Sequence, residues 1–295
     1  AQGLQMTGQR FHASRGQLVD IGGRRMRAVP AGPASDRPLI VLECGAFGCA
    51  ADWAVVQERL AAKGLRSLAY DRAGLGYSDP GPEPRDGRAI AADLEALLAR
   101  LGERGPVVYT GHSMAGLMAR VFVPRNRQQV LGVVLVDAVT PEMLDVRRTA
   151  AGIHAYRGAM KLVGAWSAAG FMRPVSLVIG DLIGLEGEAR KEKRRIYGSA
   201  VHTRWAAEEV QNWPRTSALG REAGGYDPEL PVAVVTAGGE QVSARLKALQ
   251  VVPAHGSQHG YVDHVQGANH ANLLGKAFAD PIVAGVEHVL AVARR

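Results

Sequence analysis

The sequence predicts an α/β protein with a mostly parallel central sheet, helices on both faces and an inserted helical segment. Three observations carry that expectation. Short apolar runs recur between Gly, Pro and Asp residues, helix-period apolar positions lie between them, and the alternation stops over one long stretch before resuming. Strands buried on both faces lose the polar alternation of a one-sided sheet, so continuous apolar runs separated by helical patterns indicate βαβ units.

The elements follow in order. "PLIVLE" (38–43), "LRSLAY" (65–70), "PVVYT" (106–110) and "GVVLVD" (132–137) are the predicted strands of the first half. Ile90, Leu94, Leu97, Leu98 and Leu101 fall on one face of a helix between the second and third of them. "MAGLMARVF" after "PVVYT" reads as a second helix. From 141 to 230 strand signals are scarce. Helical patterns there carry Met143, Trp166, Phe171, Met172, Trp205 and Trp213, interrupted by Pro174 and Pro214. Strand character returns in "PVAVVTAG" (231–238) and "GYVDHV" (260–265), and Ile282, Val283, Val286, Val289 and Leu290 mark a closing helix. Residues 1–140 and 231–295 are thus expected to form one core, and 141–230 a helical cap inserted into it.

Composition narrows the function classes. Of 295 residues, 47% are hydrophobic and 21% charged, and no charge-free apolar run reaches the length of a spanning helix. The net charge is +7, but the 29 Arg and 6 Lys are scattered along the chain, whereas a nucleic-acid footprint requires clustering. The densest group, "EARKEKRR" (188–195), mixes signs at helical spacing and reads as a solvated face. Cys44 and Cys49 are too few for a disulfide framework or a zinc site; two reduced thiols are expected rather than a small loop-closing bridge. No metal or dinucleotide is expected, since "GAFG" lacks the lysine and spacing of a phosphate loop and "AGLGYS" lacks G-x-G-x-x-G. The "AQG" start suits a processed secreted or periplasmic protein as well as a cytoplasmic one. The sequence carries no expectation of oligomeric state.

The chemistry gathers around "YTGHSMAGLM" (109–118). Ser113 sits between a strand and a helix with Gly111, Ala115 and Gly116 beside it. A serine on so sharp a turn has strained backbone angles, and its neighbours must be small. The turn puts the Met114 N–H at the start of a helix, where it can face a developing oxyanion. A second donor is expected from the Gly-rich loop "LECGAFGCADW", at Ala46, just past Gly45. Among the nine histidines, His270 lies between the last strand and the closing helix and is the expected base; His112 is read as a packing residue. Two acids compete to orient it. Asp137 ends "GVVLVD", and Glu240 ends "PVAVVTAGGE"; Asp137 is preferred because a short acid at a strand end is better fixed than a longer one after two glycines.

"GHSMAG", "YDRAGLGYSD" (70–79) and "GANH" (267–270) together resemble the α/β-hydrolase superfamily over about 17–295, with 141–230 matching its variable cap. Many relatives carry His-Gly at the oxyanion loop, where this chain has Cys44-Gly45. Within the resemblance, Glu240 stands where the superfamily commonly has its acid, and Asp137 where some relatives have it. Asp71 and Arg72 are expected to fix the loop after their strand. The implied activity is hydrolysis of a largely apolar small-molecule ester or lactone through an acyl-enzyme. Halide release is disfavoured, because relatives performing it need a carboxylate at position 113. The alternatives are a serine aminopeptidase or amidase, with Glu186, Glu188, Glu208 or Glu209 holding an amine, a carbon–carbon bond hydrolase, and, in another class, a non-hydrolytic ligand sensor that kept the triad.

Overall fold

The computed structural model describes residues 15–168, 182–238 and 244–294. One sheet of eight strands forms its centre: β1 (Gln17–Asp20), β2 (Arg25–Ala31), β3 (Leu39–Glu43), β4 (Ser67–Tyr70), β5 (Val107–His112), β6 (Val130–Val136), β7 (Val232–Ala237) and β8 (Gly260–Val265). Their spatial order is β1-β2-β4-β3-β5-β6-β7-β8. The first two strands pair antiparallel, β2 pairs antiparallel with β4, and the rest of the sheet is parallel. Every predicted strand is present.

Alternation across the pleat divides the apolar runs between two cores. Ile40, Leu42, Val108, Val134 and Val136 face α1 (Ala54–Ala62) and the closing helix, through Leu60, Ile282 and Val286. Leu39, Val41, Tyr109, Val133 and Leu135 face α2 (Gly87–Arg100) and α3 (Ala115–Arg125), through Leu94, Leu97 and Phe122. Asp86 caps α2, its side chain accepting from the Arg88 and Ala89 N–H groups. The short, exposed β1 and the half-exposed β8 form the sheet edges.

Among the described residues between β6 and β7 lie a 3-10 turn (Pro141–Asp145) and four helices: α4 (Arg147–Ala168), α5 (Gly187–Tyr197), α6 (Ala200–Gln211) and α7 (Trp213–Glu222). Helix α8 (Ala244–His255) follows β7, and α9 (Asp280–Ala293) closes the chain. The solvated reading of "EARKEKRR" holds for Glu188 and Lys191, which pair on the surface, and fails for two of its neighbours. Glu192 and Lys193 are buried: Glu192 accepts from Arg27 at 2.6 Å, and Lys193 pairs with Asp52. Arg27 also meets Asp71 at 3.3 Å. Helix α5 is therefore joined to the sheet by charges removed from water, and breaking such a pair is costly because the remaining charge stays buried.

The order of the strands positions the site. From β3 the chain moves to β4 on one side and then to β5 on the other, so the connections diverge at the β3/β5 boundary. In parallel sheets such a divergence opens a crevice at the carboxyl ends of the strands.

Candidate active site

Ser113 occupies that crevice, between the last residue of β5 and the first turn of α3. Its φ is +57°, in the left-handed region, and the turn is tied down on both sides. The Ser113 N–H donates to the Val136 carbonyl at 3.0 Å, while the Ser113 carbonyl accepts from Val139 at 2.8 Å and Gly116 at 3.1 Å. The small neighbours have measurable reasons. A methyl at Gly116 would stand 2.4 Å from the Val139 carbonyl oxygen. One at Gly111 would stand 3.0 Å from the Ala115 methyl, so Ala115 fits because position 111 has no side chain.

His270 lies after β8, in a loop held by the reciprocal side chains of Asn269 and Asn272. Its Nε2 is 3.0 Å from Ser113 Oγ and its Nδ1 is 2.6 Å from Asp137 Oδ2. The imidazole is half-exposed and the carboxylate buried. Asp137 follows β6 directly with φ +41°, and its other oxygen accepts from Gln250 Nε2 at 3.1 Å and the Ala237 N–H at 3.3 Å. Burial opposes its ionisation, but the hydrogen bond and charge of His270 outweigh it and keep the carboxyl below its usual range. Glu240 lies outside the described residues.

His112 does more than pack. Burial pushes it down to about 3, so it is neutral, and its Nε2–H donates to the His270 carbonyl at 2.9 Å. Its ring lies 4.7 Å from that of His270 and meets Trp53 edge-on at 6.4 Å. The loop carrying the base is thus pinned from the turn carrying the serine.

Two backbone donors border Ser113. Met114 is the N-cap of α3, and among the described residues neither its N–H nor that of Ala46 has a hydrogen-bond partner. Gly45 lets the β3 loop pass over the serine, since a methyl there would stand 2.8 Å from Ser113 Cβ. Phe47 follows with φ +55°; it, Ser113 and Asp137 are the non-glycine residues with positive φ among those described. Such conformations collect where the surroundings impose them.

Ala46, Ser113, Gly152, Ile153, Tyr156, Trp213, Leu246 and His270 line a cavity of about 600 Å³. Tyr156 stacks on Trp213 at 5.7 Å, and the Trp213 indole N–H is directed at the Met114 sulfur. The other residues singled out in this segment lie elsewhere. Trp205 is packed against Leu75 and over Gly74, Met143 is buried, Trp166 is exposed, and Phe171 and Met172 fall outside the described residues. Glu186 pairs with Lys276, Glu188 with Lys191 and Glu209 with Arg72, while Glu208 accepts from Asn212. Cys44 and Cys49 are buried free thiols whose ionisation burial strongly opposes. Among the described residues no group of His, Cys, Asp or Glu is arranged to hold a metal ion, and no helix is long and apolar enough to cross a membrane.

A family model described as the alpha/beta hydrolase fold matches residues 38–159. An AB hydrolase superfamily protein of Gibberella zeae is 37% identical over 106 residues, which are 35% of this chain and 33% of that protein. The chain spans 19% to 33% of the length of the first three curated relatives it matches. Among solved structures, the epoxide hydrolase CorEH superposes with a TM-score of 0.70 at 19% identity, covering 92% of this chain and 96% of that one. A thermophilic esterase from Thermogutta terrifontis gives 0.65 at 18% identity, covering 90% and 94%. At these identities the structural likeness establishes the fold.

Proposed function

Because the chain belongs to the α/β-hydrolase superfamily, we propose that it is a serine hydrolase that cleaves a carboxylic ester or lactone of largely apolar character. The observation that carries this reading is the continuous line from Ser113 Oγ through His270 to Asp137, with contacts of 3.0 and 2.6 Å. A serine hydroxyl becomes nucleophilic when a base removes its proton in the attack.

The steps follow from these positions. Ser113 Oγ bonds to the substrate carbonyl carbon as His270 Nε2 takes its proton, and Asp137 stabilises the imidazolium through Nδ1–H. The Ala46 and Met114 N–H groups hold the carbonyl oxygen as it becomes an oxyanion. His270 then protonates the departing alkoxide, leaving an acyl ester on Ser113. Water, deprotonated by His270, attacks that ester, and collapse of the second tetrahedral intermediate returns the proton to Ser113.

The segment 141–230 serves in this reading as the cap, supplying Ile153, Tyr156 and Trp213 to an apolar cavity. The aminopeptidase alternative loses support, because each of its four carboxylates is engaged elsewhere and none lines the cavity. Epoxide opening, the activity in the CorEH name, also fits poorly: attack by a serine would leave an ether that water does not hydrolyse, whereas a carboxylate nucleophile leaves a cleavable ester.

A fluorophosphonate probe should label the wild type and not Ser113→Ala. The wild type should also turn over p-nitrophenyl esters or lactones beyond a single burst. A folded wild type that resists labelling would refute the enzyme reading, and a burst without turnover would favour a sensor.

A further inference from the structure

Arg72 is buried beneath the loop that carries Ala46, and all five of its N–H donors are engaged. Nη1 donates to Glu43 Oε1 at 2.7 Å and to the Cys44 carbonyl at 2.6 Å. Nη2 donates to the Gly45 carbonyl at 2.9 Å and to Glu209 Oε2 at 2.7 Å. Nε–H is shared between the Glu209 oxygens at 2.9 and 3.1 Å. One guanidinium therefore joins a sheet residue, two loop carbonyls and a carboxylate of α6.

The peptide plane turns these contacts into an orientation. Among the described residues the only cis bond is Glu83–Pro84, so Gly45–Ala46 is trans, and its carbonyl and N–H point in opposite directions. Holding the Gly45 oxygen on Arg72 turns the Ala46 N–H away from Arg72, and Ala46 shares with Ser113 the wall of a cavity that Arg72 does not line. Helix α6 grips the loop a second time beyond Ala46, since His202 Nε2–H donates to the Phe47 carbonyl at 3.2 Å. The loop is thus held on both sides of Ala46, at the Gly45 carbonyl by Arg72, which Glu209 of α6 anchors, and at the Phe47 carbonyl by His202 of the same helix.

We infer that Arg72 and Glu209 are positioning residues for the Ala46 oxyanion donor, so that docking of α6 on the core sets the oxyanion hole. The inference rests on the serine-hydrolase reading above. Neither side chain lines the cavity, and both act through the loop backbone.

The test is Glu209→Gln, which keeps the volume of the side chain and removes one anchor of the guanidinium. Active sites are first counted by fluorophosphonate titration; kcat per titrated site is then measured with a p-nitrophenyl ester, and affinity is measured for phenylboronic acid, whose serine adduct places an oxygen in the hole. The expected result is a fall of about 10- to 100-fold in kcat per site with KM little changed, and a parallel loss of boronate affinity. A merely structural role would lower the number of titratable sites and leave the rate at each intact. A kcat per site within twofold of wild type, or a fall in kcat with boronate affinity unchanged, overturns the inference. Should Glu209→Gln not fold, Glu209→Asp, which keeps the charge on a shorter arm, is judged by the same two numbers. Failure of the wild type to label would instead refute the serine-hydrolase reading.

Discussion

Protonation of His202 should lower stability in mild acid by an amount that follows from its surroundings. The ring is buried in α6, with Nδ1 accepting from the Gly76 N–H at 3.1 Å and Nε2–H donating to the Phe47 carbonyl. A second proton would set an N–H against the Gly76 N–H and charge a group without water. Burial, with the charge of Lys193 adding to it, accordingly pushes the imidazole from 6.5 down to about 3. Below the unfolded value the unfolded chain binds a proton that the folded chain refuses. Stability is therefore full above pH 6.5 and falls as pH drops toward 3, by about 1.4 kcal/mol per pH unit, or about 2 kcal/mol between pH 7 and pH 5. His112, also pushed down to about 3, contributes a similar slope. Their sum, about 4 kcal/mol, is a large part of a typical domain stability of about 5–15 kcal/mol. Urea unfolding of wild type and His202→Gln at half-unit steps from pH 7 to 5 checks this. The variant should lose about 1.4 kcal/mol per unit of slope below pH 6. Parallel curves would refute the reasoning, whatever the offset between them.

Three further outcomes are expected. Asp137→Asn should lower kcat by about 10³- to 10⁴-fold with little change in KM for a p-nitrophenyl ester, because an amide can impose the wrong tautomer on His270 and cannot stabilise its charge. Gly45→Ala places a methyl 2.8 Å from Ser113 Cβ and 3.2 Å from His112 Nδ1. It should cost about 10²-fold in kcat per titrated site through displacement of the loop. Glu192→Ala leaves Asp71 as the carboxylate facing the buried Arg27, whose other donors go to the Arg15 carbonyl, and should reduce the urea unfolding free energy by about 3–5 kcal/mol.

What could be read from the sequence was what depends on neighbouring residues. The strands from β3 to β7 are largely apolar and β8 keeps Tyr261, Val262 and Val265, and the elbow is a local pattern whose steric demands are visible at positions 111, 115 and 116. Strands β1 and β2 were not legible, because "RMRAVPA" carries two arginines and a proline. Arg27 nevertheless lies inside the protein, made tolerable by Glu192, 165 positions away. Arg72 was expected to fix its own loop; its hold on the neighbouring loop needs Glu209, 137 positions on. His112 looked like packing because the carbonyl it reaches belongs to residue 270. The preference for Asp137 over Glu240 rests in the sequence on side-chain length and strand position alone, whereas the quantity that matters is a distance to an imidazole. That distance is 2.6 Å for Asp137.

The left-handed backbone at Phe47, Ser113 and Asp137 has a consequence for how such a sequence drifts. Each position costs about 1–3 kcal/mol that glycine would not incur. Phe47 offsets that cost by packing against Leu75 and Trp205, but under selection for folding alone the strain favours glycine at Ser113 and Asp137, and those two changes would erase the proposed nucleophile and its acid. Screens for heat resistance without an activity filter should therefore recover inactive chains first. The strained backbone at Ser113 and Asp137 is in these terms a cost in stability carried by the two residues that meet His270.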